Sequence, residues 1–237
     1  MSFEEKDKSG IGTLSEKSIH STIKDFFEKD KEYQEIKVGR YVADIKRDNN
    51  IIEIQTKDFK KLIPKIEYYL KTGYNIKIVY PIILERYTNW VSPINGKVLE
   101  RRKSPIKGCI QDSLLEIYWI QQYLDNNNFN LSLITLNIEE YKLLDGCGQN
   151  NKKKATKIDK IPTSIIEEIT ISTRTELYKL IPNTLKDEFT AKEFVKESKS
   201  RKKWSGSYVK LLREIGVIEI IRKEGNTYIY RRKQNGA

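Results

Sequence analysis

The stretch GRYVADIKRDNNIIEIQTKDF, residues 39–59, holds the side chains of this chain best placed to do chemistry. Its centre, Asp48-Asn49, reads as a polar turn between two β-branched runs, which predicts a hairpin. Counting outward from the turn sets residue 47 against 50, 46 against 51 and 45 against 52, so Asp44 falls opposite Glu53. Opposed residues of an antiparallel pair share a face, with Cβ atoms roughly 4.5–5.5 Å apart. Two carboxylates that close, flanked by Val42, Ala43, Ile45, Ile52 and Ile54, repel unless a positive charge sits between them. A divalent cation does this, and Mg²⁺ is held by one or two carboxylates together with waters and phosphate oxygens. Glu53, Gln55 and Lys57 alternate and therefore point one way. The spacing predicts a carboxylate pair for Mg²⁺ or Mn²⁺, then an amide to position water, then a cation near the rim. Phosphodiester hydrolysis needs such parts: the metal acidifies the attacking water and offsets charge at phosphorus, and a neighbouring amide or amine orients that water. The plainer reading of the two acids is that they only flank a polar turn.

Upstream, Glu16, His20 and Lys24 recur every four residues and form one stripe of a helix expected over 14–28. His20 is the sole histidine of the chain. The stripe reads either as part of the site or as an ordinary solvated face. Downstream, RRKSPIKG (101–108) is a basic loop that offers contacts to phosphates, or a surface turn set by Pro105 and Gly108.

The net charge of +11 is unevenly spread. Residues 1–149 hold 23 basic and 22 acidic side chains, whereas residues 150–237 hold 21 and 11. A balanced segment joined to one carrying an excess of +10 points to a polyanion-binding module in the last third. No window approaches twenty apolar residues, so no membrane span is expected. The charged start MSFEEKDKSG lacks the apolar run of a secretory leader. Two cysteines, Cys109 and Cys147, cannot build a disulfide framework or a zinc site alone, and a reduced, cytoplasmic protein is expected.

These groups need elements to hold them. Periodicity predicts the first helix, strands over 35–45 and 50–57, a helix over 58–71, and a buried strand over 74–83. A hairpin over 86–98 turning at Asn95-Gly96, a helix over 111–124 and a strand over 129–138 follow. That order suits a mixed α/β sheet flanked by helices. The lysine-rich run DGCGQNNKKKATKIDK reads as a linker, placing domains at 1–148 and 161–237 with the linker at 149–160. Beyond it come helices over 173–181, 190–198 and 201–215, the second opening with the capping box Thr190-x-x-Glu193. A hairpin over 218–232 turns at Glu224-Gly225-Asn226. In the third helix Tyr208, Leu211, Leu212 and Ile215 face inward, and Lys203, Ser207 and Lys210 outward. Arg201 and Lys202 sit at its start, and Arg231, Arg232 and Lys233 follow the hairpin. Trp204 reads as a platform for a nucleobase or, as is commoner for an aromatic at a helix start, as part of the core.

Three short helices and a hairpin, with the phrase LLREIGVIEIIRKEGNTYIYRRK, resemble a winged helix-turn-helix over 173–233. The resemblance implies that the third helix enters the DNA major groove and the hairpin meets the backbone. Arg201, Lys202, Lys203, Ser207, Lys210, Arg231 and Arg232 are then the DNA-binding residues. The N-terminal string resembles the PD-(D/E)xK nuclease superfamily, whose restriction-endonuclease-like core runs α-β-β-β-α-β. Asp44 matches its first acid, Glu53 its second, and Glu16 its first-helix glutamate. Gln55 stands where lysine is usual, and Lys57 or Lys65 is left to supply the cation. The whole chain also resembles a bacterial family that joins such a domain to a winged helix, a likeness that carries no activity with it. The resemblance implies a Mg²⁺- or Mn²⁺-dependent DNA endonuclease in restriction, mobile-element defence or repair. Asp44 and Glu53 are its metal ligands, with Gln55, Glu16 and Lys57 assisting. Double-stranded DNA is the expected partner, with a homodimer or a defence-system protein left open. The alternative is a non-catalytic DNA-binding regulator or adaptor whose nuclease domain is degenerate.

Overall fold

A run of β-branched residues on both sides of each polar turn builds the sheet of this protein. The computed structural model describes residues 19–147 and 154–233. In chain order the elements are α1 (Ile19–Phe27), β1 (Gln34–Val38), β2 (Tyr41–Arg47), β3 (Asn50–Ile54) and α2 (Ile63–Lys71). Then come β4 (Asn75–Val91), β5 (Val98–Lys103), α3 (Leu114–Ile117), β6 (Phe129–Leu143) and β7 (Thr156–Ile171). The last are β8 (Glu188–Phe189), α4 (Ala191–Ser198), α5 (Ser205–Ile215), β9 (Ile218–Glu224) and β10 (Thr227–Arg232). The architecture is mixed α/β. A seven-stranded sheet runs β1-β2-β3-β4-β6-β7, with β5 paired to β4, and a three-stranded sheet runs β8-β10-β9. The large sheet is mixed because its connections differ. The tight turns let β1 pair β2, and β4 pair β5, antiparallel. β3 and β4 lie parallel, which requires the crossover that α2 supplies.

The chain divides into two compact units, one of Met1–Lys46, Pro81–Gly108 and Ile134–Glu168, the other of Arg47–Tyr80, Cys109–Leu133 and Ile169–Ala237. In the first, β2 alternates strictly. Ala43 and Ile45 are buried, and Asp44 and Lys46 occupy the opposite face. Ile23 of α1 is fully buried there. In the second unit, Phe59, Ile66, Tyr69, Ile78, Leu114 and Phe129 make one part of the core, and Leu180, Phe189, Phe194, Tyr208 and Leu212 another.

Three features of the C-terminal module follow from sequence chemistry. Thr190 caps α4 with a reciprocal capping box to Glu193, satisfying amides that the helix start leaves open. Gly216, at φ 91°, ends α5 in the left-handed region that a side chain resists. Tyr208, Leu211 and Leu212 face inward and Ile215 is half-buried, as the periodicity predicts.

Several expectations need correction. The strand expected over 35–45 is two strands, because the chain reverses at Gly39-Arg40, with Gly39 at φ 59°. The strand over 74–83 and the first arm of the hairpin over 86–98 are one 17-residue strand, β4. The basic loop is partly strand, since Arg101, Arg102 and Lys103 lie in β5. The helix over 111–124 shortens to α3 between 3-10 turns, and that over 173–181 is a 3-10 segment, Thr175–Leu180.

The expected linker over 149–160 lies partly outside the described residues, and from Thr156 onward it is β7 of the large sheet. The C-terminal module therefore starts after Ile171 and not at 161. Pro162 is compatible with this strand because β7 ends the strand order, and edge strands are where proline is tolerated. The module is also no separate bead on a linker, for it shares its unit with residues 109–133. Asp112 accepts hydrogen bonds from the Tyr208 hydroxyl and, at 3.1 Å, from Arg201 Nε. Gln111 Nε2 donates to the Leu180 carbonyl at 3.0 Å, and Cys109 Sγ to that of Ser198 at 3.0 Å.

Candidate functional site

Asp44 sits at the centre of β2, where alternation turns it away from the Ala43/Ile45 face. Its Oδ2 lies 3.1 Å from His20 Nε2 of α1. Both belong to the first unit. The helical stripe thus does reach the acid through His20. Lys24, one turn further, is buried and pairs with Glu35. Glu16 lies outside the described residues.

Glu53 belongs to the second unit and is 3% exposed on β3. A carboxylate that deep requires a partner, and Lys65 supplies one from α2, with Nζ 2.6 Å from Glu53 Oε2. Pro64, in the first turn of α2, sets the helix start where its missing N–H costs nothing. Lys65 then projects from that first turn. Gln55 follows the end of β3, its N–H bonded to Val79 O at 2.9 Å. Its side-chain Nε2 donates to the carbonyl of Lys57, so the amide braces its own loop. The Lys57 side chain is exposed. The same loop is fixed from α3, where Glu116 Oε2 accepts the Phe59 N–H at 2.9 Å.

β2 and β3 are neighbours in the strand order and are joined by the expected turn, with Asp48 at φ 52°. The opposition of Asp44 and Glu53 is carried by the residue count alone. Among the described residues no group of three or more His, Cys, Asp or Glu side chains comes together as a metal cage. Asp44 and Glu53 are each hard oxygen donors of the kind that binds Mg²⁺ or Mn²⁺ together with water and phosphate oxygens.

In the C-terminal module Lys202, Lys203, Ser207 and Lys210 are exposed at the start and along the outer face of α5. Lys210 also reaches Glu214 at 3.7 Å. Trp204 is exposed, with Lys203 Nζ 5.3 Å from the centre of its ring, which corrects its expected place in the core. The three arginines expected to meet DNA have partners within the unit. Arg201 pairs with Asp112, Arg231 with Glu219 at 2.9 Å, and Arg232 Nη2 donates to the carbonyls of Pro182 and Leu185. Arg232 therefore closes carbonyls of the segment before β8, a role the charge pattern does not reveal. Around Asp112 the hydroxyl groups are weak acids. Burial, with Glu116 and Asp112 nearby, pushes the Tyr80 hydroxyl up to about 12. Burial and the Asp112 carboxylate raise Tyr208 as well.

A large mixed sheet carrying a buried acid–lysine pair, followed in the chain by short helices and a three-stranded sheet, defines a mixed α/β protein. The chain belongs to the family described as domain of unknown function DUF8091, whose model matches residues 17–172. That match ends one residue past β7. The chain is also similar to an uncharacterized protein of Treponema pallidum (strain Nichols), 26% identical over 151 residues. The similarity covers 63% of this chain and 59% of that protein, less than two thirds of the relative's length. No solved structure matches the chain.

Proposed function

We propose that this protein is a Mg²⁺- or Mn²⁺-dependent DNA endonuclease whose sheet is restriction-endonuclease-like and whose C-terminal module is a winged helix. The observation that carries the reading is the Glu53–Lys65 pair. Gln55 occupies the usual lysine position, and Lys65 delivers an ammonium to the second acid from α2 instead. Asp44 and Glu53 are the ligands in this reading, and the cation would supply charge to the phosphate and acidify a water. The protein's own residues divide the remaining work. His20 holds the Asp44 carboxylate in place. Lys65 neutralises Glu53, and with a cation bound it would be placed to hold a phosphate or water oxygen. Gln55 braces the loop that carries Lys57.

The order β8, α4, α5, β9, β10 supports the winged-helix reading. α5 then meets DNA through Lys202, Lys203, Ser207 and Lys210, groups that bind phosphates and do not by themselves read sequence. The test is incubation of supercoiled plasmid with Mn²⁺, comparing the wild type with Asp44→Ala. Nicking by the wild type alone supports the proposal, and equal nicking by both sinks it.

A second reading has its own observation. Gln55 commits its amide donor to the Lys57 carbonyl, which suits a degenerate site in a DNA-binding regulator or adaptor. Binding of plasmid without nicking selects that reading.

A further inference from the structure

The first unit contains a row of cations that its carboxylates do not balance. Arg86 on β4, Lys142 on β6 and Lys160 on β7 lie on three strands that are consecutive in the sheet order. Lys142 and Lys160 flank one buried carboxylate, Glu140, whose side chain is 2% exposed. Lys142 Nζ is 3.1 Å and Lys160 Nζ 3.9 Å from it. Lys142 is further held over the ring of Trp90 at 5.4 Å. Exposed Lys157, at the start of β7, adds a fourth charge.

Two other acids of this unit are already paired. Glu85 pairs with Lys103 at 2.7 Å, and Glu139 with Arg101 at 2.7 Å and with Asn89. Glu85 and Glu139 are sequence neighbours of Arg86 and Glu140, and their charges are taken up by Lys103 and Arg101. Arg86 is half-buried, yet among the described residues it has no carboxylate in ion-pair range. The cost of this crowding registers on Lys160. Burial first, then Arg86, Lys157 and Lys142, lower its affinity for a proton, against the pull of Glu140. Cations held this close, with one acid among four, are relieved by an anion. Neighbouring strands lie about 4.8 Å apart, so the row from β4 to β7 spans roughly 10 Å. Phosphates on one DNA strand recur about every 3.4 Å of helix axis, so two or three fall within it.

We propose that Arg86, Lys142, Lys157 and Lys160 form a second DNA-binding surface, separate from α5, that grips the phosphate backbone of a duplex without reading its bases. It rests on the preceding reading only for the choice of DNA as the polyanion, and it requires no catalysis. The test uses the full chain in EDTA with a fluorescently labelled duplex of about three helical turns, following anisotropy against salt. Arg86→Ala with Lys157→Ala is the informative variant, since Lys142 and Lys160 also neutralise Glu140 and their removal confuses folding with binding. The slope of log K against log salt should flatten by about two units, one for each phosphate no longer neutralised. Arg86→Lys, which keeps the charge, should hold the wild-type slope. Lys203→Ala with Lys210→Ala should lower affinity independently, and the two pairs should combine additively. If Arg86→Ala/Lys157→Ala binds duplex like the wild type while the α5 variant weakens, the second surface is overturned and DNA binding stands. If the wild type ignores duplex in EDTA, both readings fall together. If the wild type instead binds vesicles containing phosphatidylserine, and does so through Arg86, the partner is a lipid surface and the proposal is wrong.

Discussion

Lys65 Nζ lies 2.6 Å from Glu53 Oε2, and the two side chains are only 18% and 4% exposed. A pair this deep gives little net stability when whole, but removing one partner leaves an uncompensated charge. Lys65→Ala should therefore destabilise the protein by about 3 kcal/mol in urea unfolding. An ammonium and a divalent cation also compete for the same carboxylate, so Mn²⁺ should raise the melting temperature of Lys65→Ala more than that of the wild type. A Lys65→Ala variant as stable as the parent would mean that Glu53 is neutralised by another group.

Asp44 and His20 define the complementary experiment. Asp44→Asn preserves the side-chain shape and an oxygen that can accept a hydrogen bond from His20 Nε2, 3.1 Å away in the native site. It removes the charge that a cation needs. The variant should fold with a native circular dichroism spectrum and bind duplex in EDTA like the wild type. It should lose both the Mn²⁺-induced melting shift and plasmid nicking. A melting shift equal to that of the wild type removes Asp44 from any metal site.

The residues that carry this site are unequally visible in the sequence. The turn at Asp48-Asn49, the alternation along β2, the capping box of α4 and the inward face of α5 are local patterns, and each appears where periodicity predicts it. Lys65 is one of several lysines, because which cation meets Glu53 depends on how α2 lies over β3, and local spacing does not encode that. β7 hides behind a lysine-rich start and Pro162, both of which an edge strand tolerates. The boundaries mislead for a related reason. β4, β6 and β7 are each long enough to contribute to both units, so the division is discontinuous in sequence. The charge pattern marks Arg201 and Arg232 as cations but does not show the internal partners they also find, Asp112 and the carbonyls of Pro182 and Leu185.

Those partners make Asp112 a test of how the C-terminal module is held. Its carboxylate accepts from the buried Tyr208 hydroxyl and from Arg201 Nε. Hydrogen bonds to a charged acceptor contribute about 1.5–3 kcal/mol, and Asp112→Ala leaves the Tyr208 hydroxyl without its acceptor. Asp112→Ala should cost about 3 kcal/mol on those grounds. Tyr208→Phe removes donor and hydroxyl together and should cost less. If the two variants are equally mild, the module is held by its apolar contacts alone.

Alkaline unfolding provides the last prediction, from Cys109. Burial pushes this thiol from 9.0 up to about 11. The sign follows from which state loses its proton first. Well below pH 9 the thiol is protonated in both folded and unfolded chains and contributes no pH dependence. Above pH 9 the unfolded thiol ionises while the folded one does not, so the unfolded state binds fewer protons and stability falls as pH rises. The fall should continue to about pH 11, where the folded thiol also ionises. A separation of about two pH units corresponds to at most about 3 kcal/mol. Tyr208 and Tyr80, both raised, extend the decline to higher pH. Cys109→Ala deletes the thiol's share, so the wild type should lose more stability than the variant between pH 9 and 11. Denaturation midpoints measured across that range make the comparison. Parallel pH profiles for the two proteins would show that Cys109 ionises as readily folded as unfolded. In the native protein a thiol reagent at about pH 8 should accordingly modify exposed Cys147 quickly and reach buried Cys109 only on unfolding.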